Sequence, residues 1–241
     1  MIHQLKFLHS PESRVFFTSD MHYGQACESW DIPLWKNRGY NSLQEHDAAM
    51  IQGWNGRITD NDIVFHLGDF TFGRNAEANM QFLLENLHYK ELYLLFGNHY
   101  AGIKQFFNKY LNYSIDKYYR LGFIGKVTNV GVETEKQHNA YLVPNYYEIF
   151  VNKTPAVLSH YPILSWNGAG KGENIHLFGH SHGNLGNSGG WIKDNYLAGR
   201  CMDVGVDAVG SPLDFDEIMK ILGDRPAIKV DHHNQTTSSP F

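Results

Sequence analysis

The chain has 241 residues, of which 42% are hydrophobic and 14% aromatic, so its composition excludes a disordered protein. A formal charge of −5 excludes a general attraction to nucleic acid. No apolar run approaches the roughly 18 residues of a membrane span, and two cysteines give no disulfide framework. We therefore expect a cytoplasmic globular protein without a membrane partner, whose oligomeric state stays open.

Short apolar runs rich in β-branched and aromatic residues predict five buried strands. In chain order these strands are 15–18, 63–67, 92–96, 156–158 and 175–178. A capping box of Ser42 and Glu45 begins a helix that continues to about residue 54, and a second helix is expected over 75–87. Strands and helices thus alternate in the first hundred residues, which is typical of βαβ units.

Later in the chain the pattern changes to short β-rich pieces, 126–128 and 148–151, which we assign to a second sheet. Asp214 and Glu217 begin a further helix that ends near Gly223. The length suits one large α/β domain, so we expect residues 1–231 to form a single domain and the polar residues 232–241 to be a disordered tail.

Each predicted strand is followed by a short polar motif. In chain order the motifs are Asp20-Met21-His22, Gly68-Asp69, Gly97-Asn98-His99, Ser159-His160 and Gly179-His180-Ser181-His182. Open α/β sheets place their active sites beyond the carboxyl ends of the strands, so these motifs are expected to meet. Carboxylate, imidazole and amide ligands suit divalent ions such as Mn, Fe, Zn or Co, and the motifs supply enough ligands for two.

The ordered set of motifs resembles the calcineurin-like metallophosphoesterases, whose pattern is D-x-H, G-D, G-N-H, a lone His and G-H-x-H. Over residues 15–222 the chain is most similar to a small bacterial and bacteriophage branch of that group, with segments such as Leu158-Ser159-His160-Tyr161-Pro162. The resemblance implies an α/β fold in which two facing mixed β-sheets are flanked by helices, a four-layer sandwich.

The resemblance also implies a role for each motif residue. Asp20, His22 and His182 would bind the first metal ion, Asn98, His160 and His180 the second, and Asp69 both. His99 would contact the substrate without binding metal, as a catalytic group beside Asp69. We expect Mn as the ion, with Fe, Zn, Co or Ni as alternatives.

One departure from the family pattern bears on the substrate. Protein phosphatases of this group carry Asp-Arg-Gly after the Gly-Asp motif, whereas this chain has Phe72-Gly73-Arg74. Arg38, Arg74 and Arg200 are therefore the speculative phosphate contacts, since a guanidinium matches phosphate geometry. Without the usual arginine, a phosphodiester such as a nucleotide is favoured over a phosphomonoester. The motifs are also compatible with a nuclease and with a non-catalytic metal-binding scaffold.

Three features outside the motifs have two readings. The aromatic and basic stretch 101–126 could bind a polynucleotide, but Ile103, Phe106 and Phe107 recur at helical spacing, which favours a buried helix. His66 and His176 lie inside strands and are expected to be structural or to support the ligands. Asp203 and Asp207 are expected to form a turn or to support the ligands.

Overall fold

The computed structural model describes residues 5–26, 32–73, 75–111, 125–128, 139–187 and 196–228. For residues 101, 110, 111 and 125–128 it describes the backbone alone. Arg74 and the predicted tail, 232–241, lie outside the described residues. No described helix is long and apolar enough to cross a membrane.

The centre of the protein is formed by two β-sheets. Their strands are β1 (Leu5–Phe7), β2 (Val15–Thr18), β3 (Ile63–His66), β4 (Glu91–Leu94), β5 (Gly125–Thr128), β6 (Asn139–Leu142), β7 (Tyr146–Val151), β8 (Thr154–Ser159), β9 (Ile175–Phe178), β10 (Cys201–Asp203) and β11 (Leu213–Asp214). The six-stranded sheet has the order β11-β2-β3-β4-β6-β5, and the five-stranded sheet has the order β1-β7-β8-β9-β10. Both are mixed, as predicted. In the six-stranded sheet β2, β3, β4 and β6 run parallel, and β11 and β5 pair antiparallel with β2 and β6. In the five-stranded sheet β8, β9 and β10 run parallel, and β7 pairs parallel with β1 and antiparallel with β8.

Three of the helices pack on the outer face of the six-stranded sheet. The described helices are α1 (Leu34–Asn37), α2 (Leu43–Asn55), α3 (Ala76–Asn86), α4 (Ala101–Leu111), α5 (Val206–Val209) and α6 (Phe215–Leu222). Trp54 of α2, Met80 of α3 and Phe106 of α4 pack in one core cluster with Phe16 and Val64 of the sheet. The predicted helices are therefore confirmed, and Ile103, Phe106 and Phe107 are buried as the helical spacing indicated.

A second core lies between the two sheets. Alternate strand residues point to opposite faces of a sheet, so Phe17 and Phe65 face inward while their neighbours Phe16 and Val64 face the helices. Across the interface, Leu158 and Leu177 belong to the same inner cluster. The two sheets are thus held face to face, with the carboxyl ends of β2, β3, β4, β8 and β9 free to contribute to one site.

One strand assignment was wrong. The sequence placed 126–128 and 148–151 together in the second sheet, and only 148–151 lies there, within β7. The segment 126–128 lies in β5, which pairs antiparallel with β6 at the edge of the six-stranded sheet. Both segments have the composition of a short strand, and edge pairing is decided by tertiary contacts that the composition does not report.

The two predicted helix caps differ in detail. Asp214 accepts the backbone N–H of Glu217, whose side chain in turn accepts the Asp214 N–H, so the predicted capping box is complete. Ser42 caps α2 by accepting the Glu45 N–H, but the Glu45 carboxylate accepts from the backbone and side chain of Asn41 instead. The Glu45 carboxylate therefore binds the residue before the N-cap instead of the N-cap residue itself.

Asp62 is expected to stabilise the segments that immediately precede β2 and β3. Its buried carboxylate accepts the backbone N–H groups of Arg14 and Thr59 as well as their side chains. Replacing Asp62 by Ala leaves these donors unpaired and should lower the free energy of unfolding by about 3 kcal/mol or more. Asp216→Ala is the control, since this side chain is 82% exposed and forms an ion pair with His9, and it should change stability little.

The contribution of Asp62 to the free energy of unfolding should also depend on pH. Burial raises the pKa of this carboxyl, but the hydrogen bonds from Thr59 and Arg14 outweigh burial and hold the pKa below its usual value. The stabilisation is therefore complete above the ordinary pKa of about 4 and is lost as the pH falls through the lowered value. Urea unfolding of wild type and Asp62→Ala should give a difference that shrinks at acid pH. A difference constant down to pH about 2 would contradict this origin of the stability.

Candidate metal centre

The loops after five strands converge on one edge of the two sheets. They are joined by backbone hydrogen bonds, from Asp20 N to Gly68 O at 3.0 Å, from His22 N to Asp69 O at 2.9 Å and from Gly179 N to His160 O at 3.0 Å. These bonds join the first motif to the second and the fourth motif to the fifth. The side chains that the sequence singled out from these motifs meet at this edge, as the positions after the strands predicted.

Many of the converging residues have a left-handed backbone. Non-glycine residues with positive φ at this edge are Asp20 (58°), His22 (51°), Asp69 (55°), His180 (67°) and His182 (48°). Such a conformation is uncommon for residues with a Cβ atom and persists only where the surrounding structure enforces it. Five of them in one site indicate that backbone strain is used to aim these side chains at a common point.

One group of side chains is centred on Asp20. Asp20, His22 and His182 offer ligand atoms that all lie within 4.8 Å of one another, and so do Asp20, Asp69 and His160. His22 Nε2 lies 3.5 Å from Asp69 Oδ2, and His160 Nε2 lies at the same distance from that oxygen. Asp69 therefore stands between two sets of donors, which is the arrangement that a carboxylate shared by two ions requires.

The second group joins Asn98 to two histidines. Asn98 Oδ1 lies 2.7 Å from His160 Nε2 and 2.9 Å from His180 Nδ1. The Nδ1 atom of His160 lies 2.9 Å from the carbonyl of Leu67, an acceptor, so Nδ1 carries the proton and the neutral ring directs the Nε2 lone pair at the Asn98 oxygen. Asn98 Oδ1, His160 Nε2 and His180 Nδ1 are therefore close enough together to be ligands of one cation.

Buried atoms at this edge test whether a metal ion fits. Asp20 Oδ1 and both ring nitrogens of His22 are buried and have no hydrogen-bond partner among the described residues. Burial, followed by the nearby charges of His182 and Arg38, holds the pKa of His22 well below its usual value, so its ring is in the neutral form that binds metal. Burial raises the pKa of Asp20 to about 7, a cost that a bound cation offsets. The donor set therefore fits divalent metal.

Asp207 and Arg38 support one of the candidate ligands. Asp207 Oδ2 lies 2.5 Å from His182 Nδ1, which leaves His182 Nε2 free to bind metal. Arg38 in turn donates to both oxygens of Asp207, at 2.7 and 2.6 Å. Burial raises the pKa of Asp207, but the hydrogen bonds from His182 and Arg38 and their charges outweigh it and hold the pKa well below its usual range. The carboxylate is therefore ionised when it orients the ring.

The arginines expected at phosphate have other partners. Besides Asp207, the Arg38 guanidinium donates to the carbonyls of Asp20 and Met21 and contacts His46 Nε2, which occupies all five of its N–H groups. Arg200 donates to the carbonyls of Leu222 and Gly223 at the end of α6. These contacts give both residues structural roles, and the phosphate contacts expected of them stay predictions. Arg74 lies outside the described residues.

His99 lies beside this centre and outside both donor groups. Its backbone N–H donates to Asp69 Oδ1 at 2.9 Å, and its Nε2 lies 4.0 Å from Asp69 Oδ2. The ring packs edge-on against Phe72 with centroids 4.7 Å apart, and its side chain is 34% exposed. His99 thus faces the open side of the site, where a bound substrate would lie.

The remaining predicted residues support the surrounding loops. His176 is buried, lies 3.0 Å from the Val157 carbonyl through Nδ1 and accepts the Ile163 N–H through Nε2, which fixes the chain after His160. Asp203 accepts from Ser181 and Gly183 and so fixes the loop that carries His180 and His182. The expectation of a supporting role for these residues agrees with these contacts.

Comparisons with known proteins identify the family. A sequence model of the calcineurin-like phosphoesterases matches residues 13–210, which include all five motifs. The chain belongs to this family. It is therefore a metal-dependent phosphoesterase, and its convergent carboxylate, imidazole and amide groups are candidates for the metal centre of that family.

Two similar proteins share only a small part of their sequence with this phosphoesterase. An uncharacterized protein of Methanocaldococcus jannaschii is 27% identical over 157 residues, which are 62% of this chain and 86% of that protein. A crystal structure of a protein of unknown function from Aquifex aeolicus matches with a TM-score of 0.55 and 16% identity, covering 87% of this chain and all of the other. The second likeness shows the fold alone.

Gly97 is expected to be essential for this phosphoesterase. Its φ is 73°, and a Cβ atom there would lie 2.2 Å from Asp69 Oδ1. Gly97→Ala should displace Asp69 and lower kcat/KM by at least about 10²-fold, the scale for misplacing a catalytic group by 1 Å. Gly210→Ala is the matched control, because its φ is 80° but no atom lies within 4 Å of the added Cβ. It should lose about 1 kcal/mol of stability and keep its activity. Equal rates for the two variants would contradict the steric argument.

Asp207 is expected to control metal affinity through His182. Asp207→Asn exchanges an ionised acceptor for an amide, so the His182 ring is no longer fixed with its proton on Nδ1. We expect a weakening of Mn²⁺ binding by about 10- to 100-fold in calorimetric titration. Asp224→Asn, an exposed change outside the site, should leave the affinity unchanged. Wild-type affinity in Asp207→Asn would show that the contact does not orient the ring.

Proposed function

We propose that this protein is a phosphodiesterase that uses two divalent metal ions, with Mn as the expected ion and Fe, Zn, Co or Ni as alternatives. The single observation that supports it most is the convergence of both donor groups on Asp69, with His160 Nε2 and His22 Nε2 each 3.5 Å from its Oδ2 atom. We also propose that residues 1–231 form one domain, since the family match spans 13–210.

The proposed ligands divide as the two donor groups do. Asp20, His22 and His182 would hold the first ion, Asn98, His160 and His180 the second, and Asp69 both. When bound, the ions supply Lewis acidity, which activates water and neutralises charge on the phosphate oxygens. A scaffold that has lost its chemistry is less well supported, because the complete donor set and His99 are present together.

The chain's own groups would perform the remaining steps. His182 is held by Asp207, and His160 by the Leu67 carbonyl, so both rings are oriented before a ligand arrives. His99, which no proposed ion needs, would give its proton to the oxygen that leaves phosphorus. The alcohol then departs on the side of the site that His99 faces.

The preference for a diester follows from the arginine contacts. A phosphomonoester carries close to two negative charges at neutral pH and gains from a guanidinium that grips it. Among the described residues, all five N–H groups of Arg38 have partners, and Arg200 is anchored through Nη1 to the carbonyls of Leu222 and Gly223, which argues against either residue as the group that grips phosphate. A diester carries one charge fewer and depends less on such a group.

The test is a comparison of kcat/KM at neutral pH with Mn²⁺ on bis(p-nitrophenyl) phosphate and p-nitrophenyl phosphate. We expect the diester value to be the higher. A monoester preference that Arg74→Ala abolishes would overturn the proposal and identify Arg74 as the residue that grips phosphate. Failure to hydrolyse either substrate with any of the five metals would argue against phosphoester chemistry on these substrates.

A further inference from the structure

A cavity of about 670 Å³ lies directly beside the candidate metal centre. Its size is within the roughly 300 to 1,000 Å³ of small-molecule sites. Asn98 and His99 of the candidate site line it, and α4 contributes Lys104 and Gln105 to the lining. The space is larger than the phosphate group itself needs, so another part of the substrate can occupy it.

We propose that this cavity binds the leaving group of the substrate and that this group is a nucleoside, so that the natural substrate is a nucleotide phosphodiester. The inference rests on the proposed diesterase function and extends it to a substrate class. Three features of the cavity carry it, namely the side of the site on which it lies, its aromatic walls and its polar groups.

The position of His99 places the leaving group in the cavity. A general acid must reach the oxygen that leaves phosphorus, and His99 lines this cavity. In the hydrolysis, the oxygen of water forms a bond to phosphorus and water gives up a proton to solvent. The bond from phosphorus to the 5′ oxygen of the nucleoside breaks, and His99 gives a proton to that oxygen and regains one from solvent. The products are a nucleoside and a phosphomonoester. The departing alcohol is therefore the part of the substrate beside His99.

Two aromatic rings form the walls of the cavity. Phe72 is held edge-on against His99 at 4.7 Å, and Tyr100 lies 5.3 Å from Phe96 while remaining 44% exposed. Exposed aromatic rings are platforms on which a nucleobase stacks, at a gain of roughly 1–3 kcal/mol per base. Both rings are fixed by neighbours before a ligand arrives, so little side-chain entropy is lost on stacking.

Polar groups in the same cavity match the edges of a base. Gln105 and Asn108 present side-chain amides, which can both donate and accept hydrogen bonds. Thr71 also lines the cavity, and its buried hydroxyl has no partner among the described residues. A lipid tail would leave the Thr71 hydroxyl unpaired. A long polynucleotide is disfavoured by the net charge of −5, so a single nucleoside fits best.

The first test asks which bond of a mixed diester is broken. Nucleoside 5′-(methyl phosphates) of the four common bases present two alcohols of similar intrinsic reactivity to the metal-loaded enzyme. Chromatography of early products should show the nucleoside and methyl phosphate for at least one base. Formation of methanol and the nucleoside monophosphate alone would overturn the proposal, because the nucleoside would then lie on the other side of the site.

The second test measures how much the base contributes to kcat/KM. The same diester built on methyl riboside lacks the base, and kcat/KM should be about 5- to 150-fold lower for it than for the preferred nucleoside, the range given by stacking of one base. Phe72→Leu and Tyr100→Leu keep an apolar side chain without the π face, so each should bring this ratio closer to one. Phe82→Leu, an exposed aromatic outside the cavity, should leave the ratio unchanged.

Binding provides a readout that is independent of turnover. Calorimetric titration of the metal-loaded protein with adenosine, guanosine, cytidine and uridine should detect at least one nucleoside that binds more tightly than methyl riboside, and Phe72→Leu should weaken it. If kcat/KM were the same for the methyl riboside diester and for all four nucleoside diesters, and every diester were still hydrolysed, the nucleoside site would be contradicted. The proposed diesterase function would then still stand. Loss of hydrolysis for all diesters would defeat the proposed function itself.

Discussion

Asp69→Asn is expected to remove most of the divalent-metal binding and to lower kcat/KM by at least about 10³-fold. Asp69 Oδ2 lies 3.5 Å from both His22 Nε2 and His160 Nε2, so one carboxylate serves both donor groups. The amide keeps the size of the side chain but removes its charge and turns one oxygen into a donor. Metal content is measured by elemental analysis after gel filtration in Mn²⁺. Turnover is measured with bis(p-nitrophenyl) phosphate as the substrate.

The control for Asp69→Asn is the same chemical change at an exposed site, Asp224→Asn, which should retain both metal and activity. Circular dichroism should show that both variants are folded. Full metal content together with the wild-type rate in Asp69→Asn would remove Asp69 from the proposed ligand set.

His99→Ala is expected to lose roughly 10²–10⁴-fold in kcat, the usual scale for a general acid. The metal content should be unchanged, because the contact between His99 and Asp69 Oδ1 is made by the backbone N–H, which alanine retains. This separation of chemistry from metal binding distinguishes His99 from the proposed ligands. His88→Ala, at a histidine outside the site, is the control and should retain wild-type turnover.

The His99 variant also has an internal check on its role as an acid. The loss should be larger for a diester with a poor leaving group, such as an alkyl alcohol, than for p-nitrophenol, which needs little protonation to depart. An equal loss for both leaving groups would indicate that His99 stabilises the phosphate rather than protonates the leaving oxygen. A wild-type rate with both would exclude His99 from catalysis.

Much of the fold could be predicted because its signals are local. Apolar runs such as 15–18 and 63–66 report buried strands, and the order of the motifs places polar groups after them. The edge position of β5 could not be predicted, since its pairing with β6 depends on the tertiary fold and not on its own four residues. Helix starts were predicted well because caps are made within a few residues.

Some features of the candidate site could likewise be predicted from the sequence, and others could not. The motif residues are adjacent in sequence to their strands, so their convergence could be anticipated. The role of Arg38 could not, because its partner Asp207 is 169 residues away and the two meet only in the folded chain. The left-handed backbone of Asp20, His22 and Asp69 could not be predicted from residue type, since aspartate and histidine are enriched in that conformation but adopt it in only a small share of cases. The cavity beside His99 was missed because it is formed where the loop after β3 meets α4.

We propose that this phosphoesterase holds two divalent ions through Asp69. The most direct measurement is the metal stoichiometry of the wild-type chain, obtained by calorimetric titration of metal-free protein with Mn²⁺ and by elemental analysis of the saturated protein. We predict about two ions per chain, as a dinuclear site requires. One ion or none at saturation would contradict the account.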